Sequence, residues 1–354
     1  MKKLLLLLAA ILVAGILTAC GDDSGEAEGS QDSEGDNDNT EATEEVEPIK
    51  LVAAHNQTDP ENPYQDGLVE FKEVAEAESD GQIEVEVHAG TIGTEEAELV
   101  EKLQTGAADV VLVSPGFMTS TGINEVDLFA FPYLFDSYEH WENVVTGEVG
   151  DEMAEIINEQ SNNDFKLLGY WTAGVRHYYG KEPIQEMEDL EGMSIRTQTS
   201  GVVADYWERV GAIPQSVAWG ELYQALQQNV VDSSENAYPY FVQQDHHRTP
   251  NGEYITETGH DYTTRFLLIN GNEFDNYSEE QQEIILKAAE ASVEAEWEAL
   301  YAQEDEYKEI AVEEGAEINE IDREPFIEIA EPLHDEYAAE LGVEHLLEMI
   351  RDAR

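Results

Sequence analysis

The chain has 354 residues, of which 17 are basic and 79 acidic, so its formal net charge is -62. Binding to nucleic acids requires basic patches that neutralise phosphates, and because the sequence offers none, partners of that class are excluded. Hydrophobic residues make up 41% of the chain, which is enough for two cores of medium size.

The N-terminal residues predict export and attachment to a membrane. Two lysines precede the apolar run 4–17, which is shorter than the ~20 residues that span a bilayer. The run ends in the letters LTAC, which resemble the lipobox of bacterial lipoproteins. This resemblance implies that residues 1–19 are a signal peptide and that Cys20 is lipidated. The alternative is a lone cysteine in an uncleaved anchor. Both alternatives place the protein outside the cytoplasm, at the outer face of the cell membrane or in the periplasm.

Residues 20–47 are predicted to form a flexible acidic tether. They are mainly Gly, Ser, Asp, Glu and Asn, so the burial of apolar side chains cannot offset the entropy that folding would cost. Cys20 is the only cysteine in the sequence, which therefore allows no internal disulfide and no cysteine-based metal site.

From Ile49 onward, the sequence predicts alternating strands and helices. Asn62-Pro63 opens a helix that stops at Asp80-Gly81, and Thr94 is the predicted cap of the next helix. The predicted elements of this part are, in chain order, a strand at 49–55, a helix at 63–79, a strand at 83–87, a helix at 95–106 and a strand at 109–114.

The same alternation returns downstream and ends in a long helix, from Ser278 to about Glu314. Repeated β-α-β units imply an α/β fold with two lobes and a mainly parallel sheet. At ~1.5 Å per residue the long helix would measure roughly 55 Å, so we expect it to run along both lobes. The other predicted elements are strands at 165–171, 193–197, 214–218 and 265–270, and helices at 200–210 and 220–228.

An arginine inside a short apolar strand is the clearest indication of function. Arg196 lies in the predicted strand 193–197, in a chain where basic residues are scarce. A guanidinium presents a planar fork of donors that matches a carboxylate, so Arg196 indicates capture of a small organic acid. We expect the acid to lie in the cleft between the lobes. The alternative is that Arg196 pairs with an internal acid such as Glu235.

Five segments together resemble the DctP-type solute-binding proteins of tripartite ATP-independent periplasmic (TRAP) transporters. The resemblance extends from about Ile49 to the end of the long helix. Each segment is unspecific alone, but the five occur in the family's order. They are LFAFPYLF at 128–135, GVR at 174–176, DLEGMSIR at 189–196, GELYQALQ at 220–227 and VVDSSEN at 230–236.

The resemblance implies a periplasmic-binding-protein-like fold of two lobes, with crossing strands and a long helix spanning both. Residues 48–173 and 262–301 would form the first lobe, and residues 174–261 and 302–354 the second. It further implies a binding protein with no cofactor, no metal and no catalytic residues. Such a protein captures a small carboxylate and delivers it to the membrane subunits of a TRAP permease.

The resemblance also assigns three ligand-binding residues. Arg196 corresponds to the principal carboxylate ligand, Arg176 to an arginine that assists it, and Asn236 to an asparagine that hydrogen-bonds the same end of the ligand. Ser233 and Ser234 depart from the Gly-Gln that the family commonly has there, which could shift the strand that carries Asn236.

Three further residues are candidate ligand contacts. Trp219 stands where the family has an aromatic residue and would provide an apolar wall over the ligand, although it could also be a core tryptophan at the start of a helix. Phe117 and Asn56 follow predicted strands of the first lobe. Either one could instead be an ordinary residue of a loop.

Two other classes of function compete with solute binding. An enzyme could use a metal or acid-base cluster at His246-His247 and His260, but adjacent histidines point to different sides of a regular element. A surface scaffold or sensor is the second rival. A thermal-shift screen with organic acids separates the classes, because only a binding protein melts at a higher temperature as the acid concentration rises.

Overall fold

The computed structural model of the protein describes residues 48–198 and 200–354. The predicted signal peptide, the lipidation site Cys20 and the tether lie outside these residues. Within the described residues, no helix combines the length and the apolar character needed to cross a membrane.

Nine strands of the described chain form one sheet, in the order β2-β1-β3-β8-β4-β7-β5-β6, and β9 pairs with β8 away from this path. The strands are β1 (Ile49–His55), β2 (Ile83–Ala89), β3 (Val110–Val113), β4 (Phe165–Gly180), β5 (Ser194–Thr197), β6 (Ile213–Ser216), β7 (Ser233–Asn236), β8 (Tyr254–Asn270) and β9 (Glu317–Glu320).

The described chain also forms α-helices. They are α1 (Pro63–Glu78), α2 (Glu96–Gln104), α3 (Pro115–Met118), α4 (Tyr138–Val145), α5 (Glu148–Gln160), α6 (Gly201–Arg209), α7 (Leu222–Gln227), α8 (Tyr238–Gln243), α9 (Gly271–Phe274), α10 (Glu279–Glu313), α11 (Glu324–Leu341) and α12 (Glu344–Asp352).

The sheet is parallel toward both ends and antiparallel in the middle. Strands β1, β2 and β3 pair in parallel and belong to the first lobe. Strands β5, β6 and β7 pair in parallel and belong to the second. The long strands β4 and β8 pair antiparallel between these groups. The predicted two-lobed α/β fold with crossing strands is therefore confirmed, whereas the residue boundaries assigned to the lobes stay a prediction.

The crossing strands are much longer than the sequence predicted. Strand β4 has 16 residues and β8 has 17, but only 165–171 and 265–270 were predicted as strands. Both strands continue through polar segments, and their pairing shifts register at three places. Because a register shift breaks the alternation of side chains, the pattern of a regular strand does not extend across it.

Strand β3 is buried on both faces of the sheet. Val111 and Val113 pack into one buried cluster, whereas Val110 and Leu112 pack into another on the opposite face. The prediction that this strand is covered on both faces is confirmed. The predicted inner face of α1 is buried as well: Tyr64, Leu68, Phe71 and Ala75.

The long helix α10 connects the two lobes. It begins where the sequence predicted, because Ser278 forms a capping box with Gln281 at its N-terminus. Its 35 residues correspond to roughly 52 Å. The helix packs against α1 and β4 and, further along, against α8.

The predicted cap of α2 is wrong. The helix begins at Glu96 with Glu95 as its N-cap residue, and Thr94 lies one residue outside. Glu95 does not cap its own helix, because its carboxylate accepts hydrogen bonds from the backbone N–H groups of Trp219 and Gly220 in the second lobe, at 3.3 and 3.2 Å. A contact between lobes thus replaces the local capping pattern.

Two carboxyl groups of α10 hold the point where β4 crosses between the lobes. Glu296 accepts a hydrogen bond from the N–H of Thr172 at 3.2 Å, and Glu304 accepts one from the N–H of Val175 at 2.8 Å. The register of β4 against β8 shifts between Thr172 and Val175. Gly174, which lies there, has a φ of 81°, and a Cβ at this position would be 2.6 Å from the carboxylate of Glu304.

Replacing Glu296 with glutamine should reduce the pH dependence of stability. Burial raises the pKa of Glu296 well above its usual 4.5, so the folded protein keeps a proton that the unfolded chain releases. The free energy of unfolding then falls as the pH rises from about 5 toward the folded pKa, by up to ~1.4 kcal/mol per pH unit. Glutamine cannot titrate but keeps the oxygen that accepts from Thr172.

Urea unfolding at pH 5 to 8 tests this expectation. The difference in unfolding free energy between Glu296→Gln and the parent protein should change with pH in favour of the variant. Glu298→Gln, at an exposed position of the same helix, is the control and should give a flat difference. A flat difference for Glu296→Gln as well would contradict the buried, protonated carboxyl.

Candidate functional site

A pocket between the two lobes contains five of the six residues predicted to bind the ligand. The space between its walls is about 360 Å³, which includes its opening to solvent. The predicted residues in its wall are Asn56, Phe117, Arg196, Trp219 and Asn236, and the others are Gln57, Glu95, Glu96, Gln198, Tyr240 and Arg265.

The topology of the sheet explains why these residues meet. Asn56 follows the carboxyl end of β1, and Phe117 lies in α3, which directly follows β3. Arg196 and Asn236 lie near the carboxyl ends of β5 and β7. Strands β5 and β7 run antiparallel to β1 and β3, so the carboxyl ends of the two groups point toward each other across the middle of the crossing strands. In α/β folds ligands bind at the carboxyl ends of strands. Trp219 enters from the loop between β6 and α7.

The guanidinium of Arg196 is buried and incompletely paired. The residue is 3% exposed, and its Nε donates to the carbonyl of Val217 at 3.0 Å. Its Nη1 is buried and has no hydrogen-bond partner, and no carboxylate of the described chain lies within ion-pair distance. Burial lowers the pKa of this guanidinium. The ring of Trp219 lies 5.7 Å from its central carbon, within reach of a cation-π interaction.

Glu235 pairs with Arg176 and not with Arg196, so the alternative pairing considered from the sequence is wrong. The Nε and Nη2 of Arg176 bind the carboxylate of Glu235, and Nη2 also donates to the Glu235 carbonyl at 2.7 Å. Its Nη1 donates to the side chain of Asn236 at 3.1 Å. Every guanidinium nitrogen of Arg176 is thus bonded to the protein, and the residue lies behind the pocket wall. The direct ligand contact predicted for Arg176 stays a prediction.

Arg176 orients the amide of Asn236 toward the pocket. The Oδ1 of Asn236 accepts from Arg176 and from the N–H of Ala237, at 3.1 and 2.9 Å. Because both donors bind the oxygen, the amide nitrogen is the group left to donate to a ligand. The geometry therefore makes Arg176 a positioning residue for Asn236.

The buried charges of Arg176 and Glu235 behind the pocket wall neutralise each other as an ion pair. Burial alone would raise the pKa of Glu235, but Arg176 and His260 lower it to about 2. The Nε2 of His260 lies 3.3 Å from the carboxylate. The pair of Arg176 and Glu235 is therefore ionised and fixed at neutral pH.

The serines that depart from the family pattern do not move Asn236 out of the pocket. Strand β7 pairs with β4 in regular antiparallel register, with Asn236 opposite His177. The hydroxyl of Ser233 donates to the carbonyl of Ser194 at 3.0 Å and so joins β7 to β5. The side chain of a serine at this position thus strengthens the contact between the two strands that carry Arg196 and Asn236.

Sequence analysis missed a second arginine of the pocket. Arg265 is 5% exposed and lies in β8, directly before the apolar letters FLLI. The same pattern drew attention to Arg196. The sequence predicts residue 265 as the first residue of a strand, whereas it lies inside a strand of 17 residues.

The histidines considered as a metal cluster have separate partners. His246 contacts the hydroxyl of Tyr179 at 2.8 Å, and His247 pairs with Glu314. Within the described residues, no group of three or more metal-ligating side chains could hold an ion.

Comparisons with known proteins agree with this architecture. A family model described as bacterial extracellular solute-binding protein, family 7, or DctP, matches residues 53–341. The C4-dicarboxylate-binding periplasmic protein DctP of Rhodobacter capsulatus is 28% identical over 311 residues, which cover 84% of this chain and 89% of that protein.

Two solved structures are similar to the whole described fold. One is a TRAP periplasmic solute-binding protein from Sulfitobacter sp. NAS-14.1 with bound β-D-galacturonate, with a TM-score of 0.80 and 25% identity over 86% of this chain and 100% of the other. The second, from Pseudomonas putida F1 with bound D-glucuronate, has the same TM-score and identity and covers 86% and 97%.

Removing Arg176 should destabilise the fold, because Glu235 would remain as an unpaired buried charge. We expect Arg176→Met to lower the free energy of unfolding by about 3 to 5 kcal/mol, as measured by urea denaturation. The double variant Arg176→Met/Glu235→Leu should regain a large part of this loss. Arg209→Met removes a surface arginine paired with Asp205 and Glu336, and as the control should cost less than about 1 kcal/mol. Equal losses in the single and double variants would contradict the assigned pairing.

Proposed function

We propose a ligand class for this chain, which belongs to the DctP family, family 7 of the bacterial extracellular solute-binding proteins. The protein is an extracytoplasmic solute-binding protein of the TRAP type. It captures a small carboxylate between two lobes and delivers it to a TRAP membrane permease. The ligand proposed here is a monocarboxylate that carries several hydroxyl groups, of the hexuronic acid class.

The incompletely paired guanidinium of Arg196 is the observation on which this proposal depends. Keeping a buried cation without a counterion costs several kcal/mol, so the ligand-free pocket is poised to take an anion. The carboxylate of the ligand would bind the free Nη1 of Arg196 and the amide nitrogen of Asn236. The Nη1 of Arg196 is a charged donor, and the amide nitrogen of Asn236 is held in place through its oxygen, so both suit a planar carboxylate.

The rest of the pocket wall favours a ligand with many hydroxyls. Glu95, Glu96 and Gln57 supply acceptor oxygens, and Gln198 and Asn56 supply amides. The Oε1 of Gln57 is buried and has no hydrogen-bond partner in the described chain. Trp219 offers an aromatic face to the apolar side of a sugar ring. The similar structures with bound galacturonate and glucuronate support the same class.

Local charge allows an anion to bind a strongly acidic protein. The pocket wall contains two arginines, Arg196 and Arg265, and two glutamates, Glu95 and Glu96, so its own formal charge is zero. A chain with a net charge of -62 would otherwise repel a carboxylate. Neutrality at the site removes this repulsion at short range.

Contacts between the lobes support capture by closure. Glu95 of the first lobe binds the backbone of Trp219 and Gly220 in the second. On another side of the cleft, the hydroxyl of Ser200 donates to Asp127 at 3.2 Å. A ligand that touches both lobes adds to these contacts, and it therefore shifts the population toward the closed state.

Two further assignments belong to this proposal. We infer that the protein performs no catalysis, since its relatives are named as binding proteins and its pocket residues are explained by ligand capture. We also infer that a lipid on Cys20 anchors it to the outer face of the cell membrane, which the lipobox-like letters at 17–20 support.

Replacing Arg196 with alanine should abolish tight binding of D-galacturonate. The carboxylate would be buried without its counterion, so the loss should be about 3 to 5 kcal/mol, or roughly 10²- to 10³-fold or more in Kd. Isothermal titration calorimetry measures the loss, and the unliganded melting temperature shows whether the variant is folded. Arg209→Ala, at the surface, should bind like the parent protein. Unchanged affinity of Arg196→Ala would refute the proposed site.

A further inference from the structure

We propose that Arg265 and Glu96 form a second polar end of the pocket that binds a hydroxyl group of the ligand, with Arg265 donating to its oxygen and Glu96 accepting its proton. This inference rests on the proposed function and names the feature by which the pocket selects sugar acids over plain acids. In this arrangement Arg265 is a specificity-determining residue.

Arg265 is a buried cation whose donors are only partly used. Its Nε donates to the hydroxyl of Tyr64 at 2.9 Å, and its Nη1 donates to the carbonyl of Thr264 at 3.2 Å. In residues 48–198 and 200–354, Nη2 has no hydrogen bond to the protein, and no carboxylate lies within 4.0 Å of the guanidinium. Tyr64 and Thr264 thus fix the plane of the group and leave one donor nitrogen for another partner.

Glu96 supplies the complementary acceptor. It is 6% exposed, and one carboxylate oxygen accepts from both the N–H and the hydroxyl of Ser114. The other oxygen has no hydrogen bond to the described part of the protein. Burial lowers the pKa of Arg265, but electrostatic interactions with Tyr64 and Glu96 raise it by more. Donor and acceptor therefore lie in the wall of the same pocket without pairing with each other.

A hydroxyl fits between these groups better than a second carboxylate does. A hydroxyl can accept from Arg265 and donate to Glu96 at the same time, whereas a carboxylate can only accept. A carboxylate placed there would also be repelled by Glu96, because like charges in a partly desolvated site repel strongly. The pair of Arg265 and Glu96 is neutral and needs no further anion.

Arg265 and Arg196 reach the pocket from different strands of the sheet. Arg265 lies on β8 and Arg196 on β5, with β4 and β7 between them. Arginine side chains extend from both strands into the same pocket. One molecule with a carboxylate at one end and hydroxyls at the other can therefore contact both.

A cycle of two ligands and two proteins tests the proposal. D-galacturonate carries the hydroxyls, and cyclohexanecarboxylate has a six-membered ring and a carboxylate without them. Arg265→Gln should weaken D-galacturonate about 10- to 100-fold, because a hydrogen bond to a charged group contributes about 1.5–3 kcal/mol. It should change the affinity for cyclohexanecarboxylate less than about threefold. Calorimetry, with competition for the weaker acid, gives all four values.

Three controls keep the outcomes distinct. Arg265→Lys, which keeps the charge, and the unliganded melting temperature show whether a loss comes from misfolding. Arg196→Ala should weaken both acids alike. If it changes neither, the proposed function fails, regardless of Arg265. If Arg265→Gln weakens both acids equally, the hydroxyl assignment is overturned.

Galactarate, which carries a carboxylate at each end of its carbon chain, is the last probe. The proposal predicts that the parent protein binds it more weakly than D-galacturonate. Tighter binding of galactarate that is lost in Arg265→Gln would show that this end holds an anion, and would overturn the assignment of a hydroxyl.

Discussion

A buried guanidinium that the protein itself leaves unpaired is the constraint on which the site depends. Two acids near Arg196, Glu235 and Glu95, could have supplied its counterion, but Glu235 is already bound through both oxygens to Arg176. Glu95 instead binds the backbone of the opposite lobe. Glu235 and Glu95 thus bind other groups of the protein, and the positive charge of Arg196 is available to a ligand.

The architecture makes this arrangement possible because two long strands and one long helix connect the lobes. Strands β4 and β8 run through both, and α10 holds β4 at the crossing point through Glu296 and Glu304. These three elements therefore fix the relative positions of the residues that face each other across the cleft. Closure can bring Glu95 to Trp219 without disturbing the buried pair behind the pocket wall.

Much of this could be predicted from the sequence, and the misses have physical causes. The alternation of elements, the long helix and the family motifs gave the fold, and the family model confirms the resemblance. Local sequence patterns carry no information about which distant residues pair, so the sequence did not reveal Arg176 as the partner of Glu235. It depends on the register of β4 against β7. Thr94 was the wrong cap because a contact across the cleft overrides a local rule. Arg265 was overlooked because register shifts concealed the length of β8.

A crystal structure of the protein with D-galacturonate would test the central claim most directly. The account predicts that the carboxylate of the ligand contacts the Nη1 of Arg196 and the amide nitrogen of Asn236, while the pair of Arg176 and Glu235 stays intact. A bound acid whose carboxylate lies away from Arg196, or an Arg196 that turns to pair with a carboxylate of the protein, would contradict it.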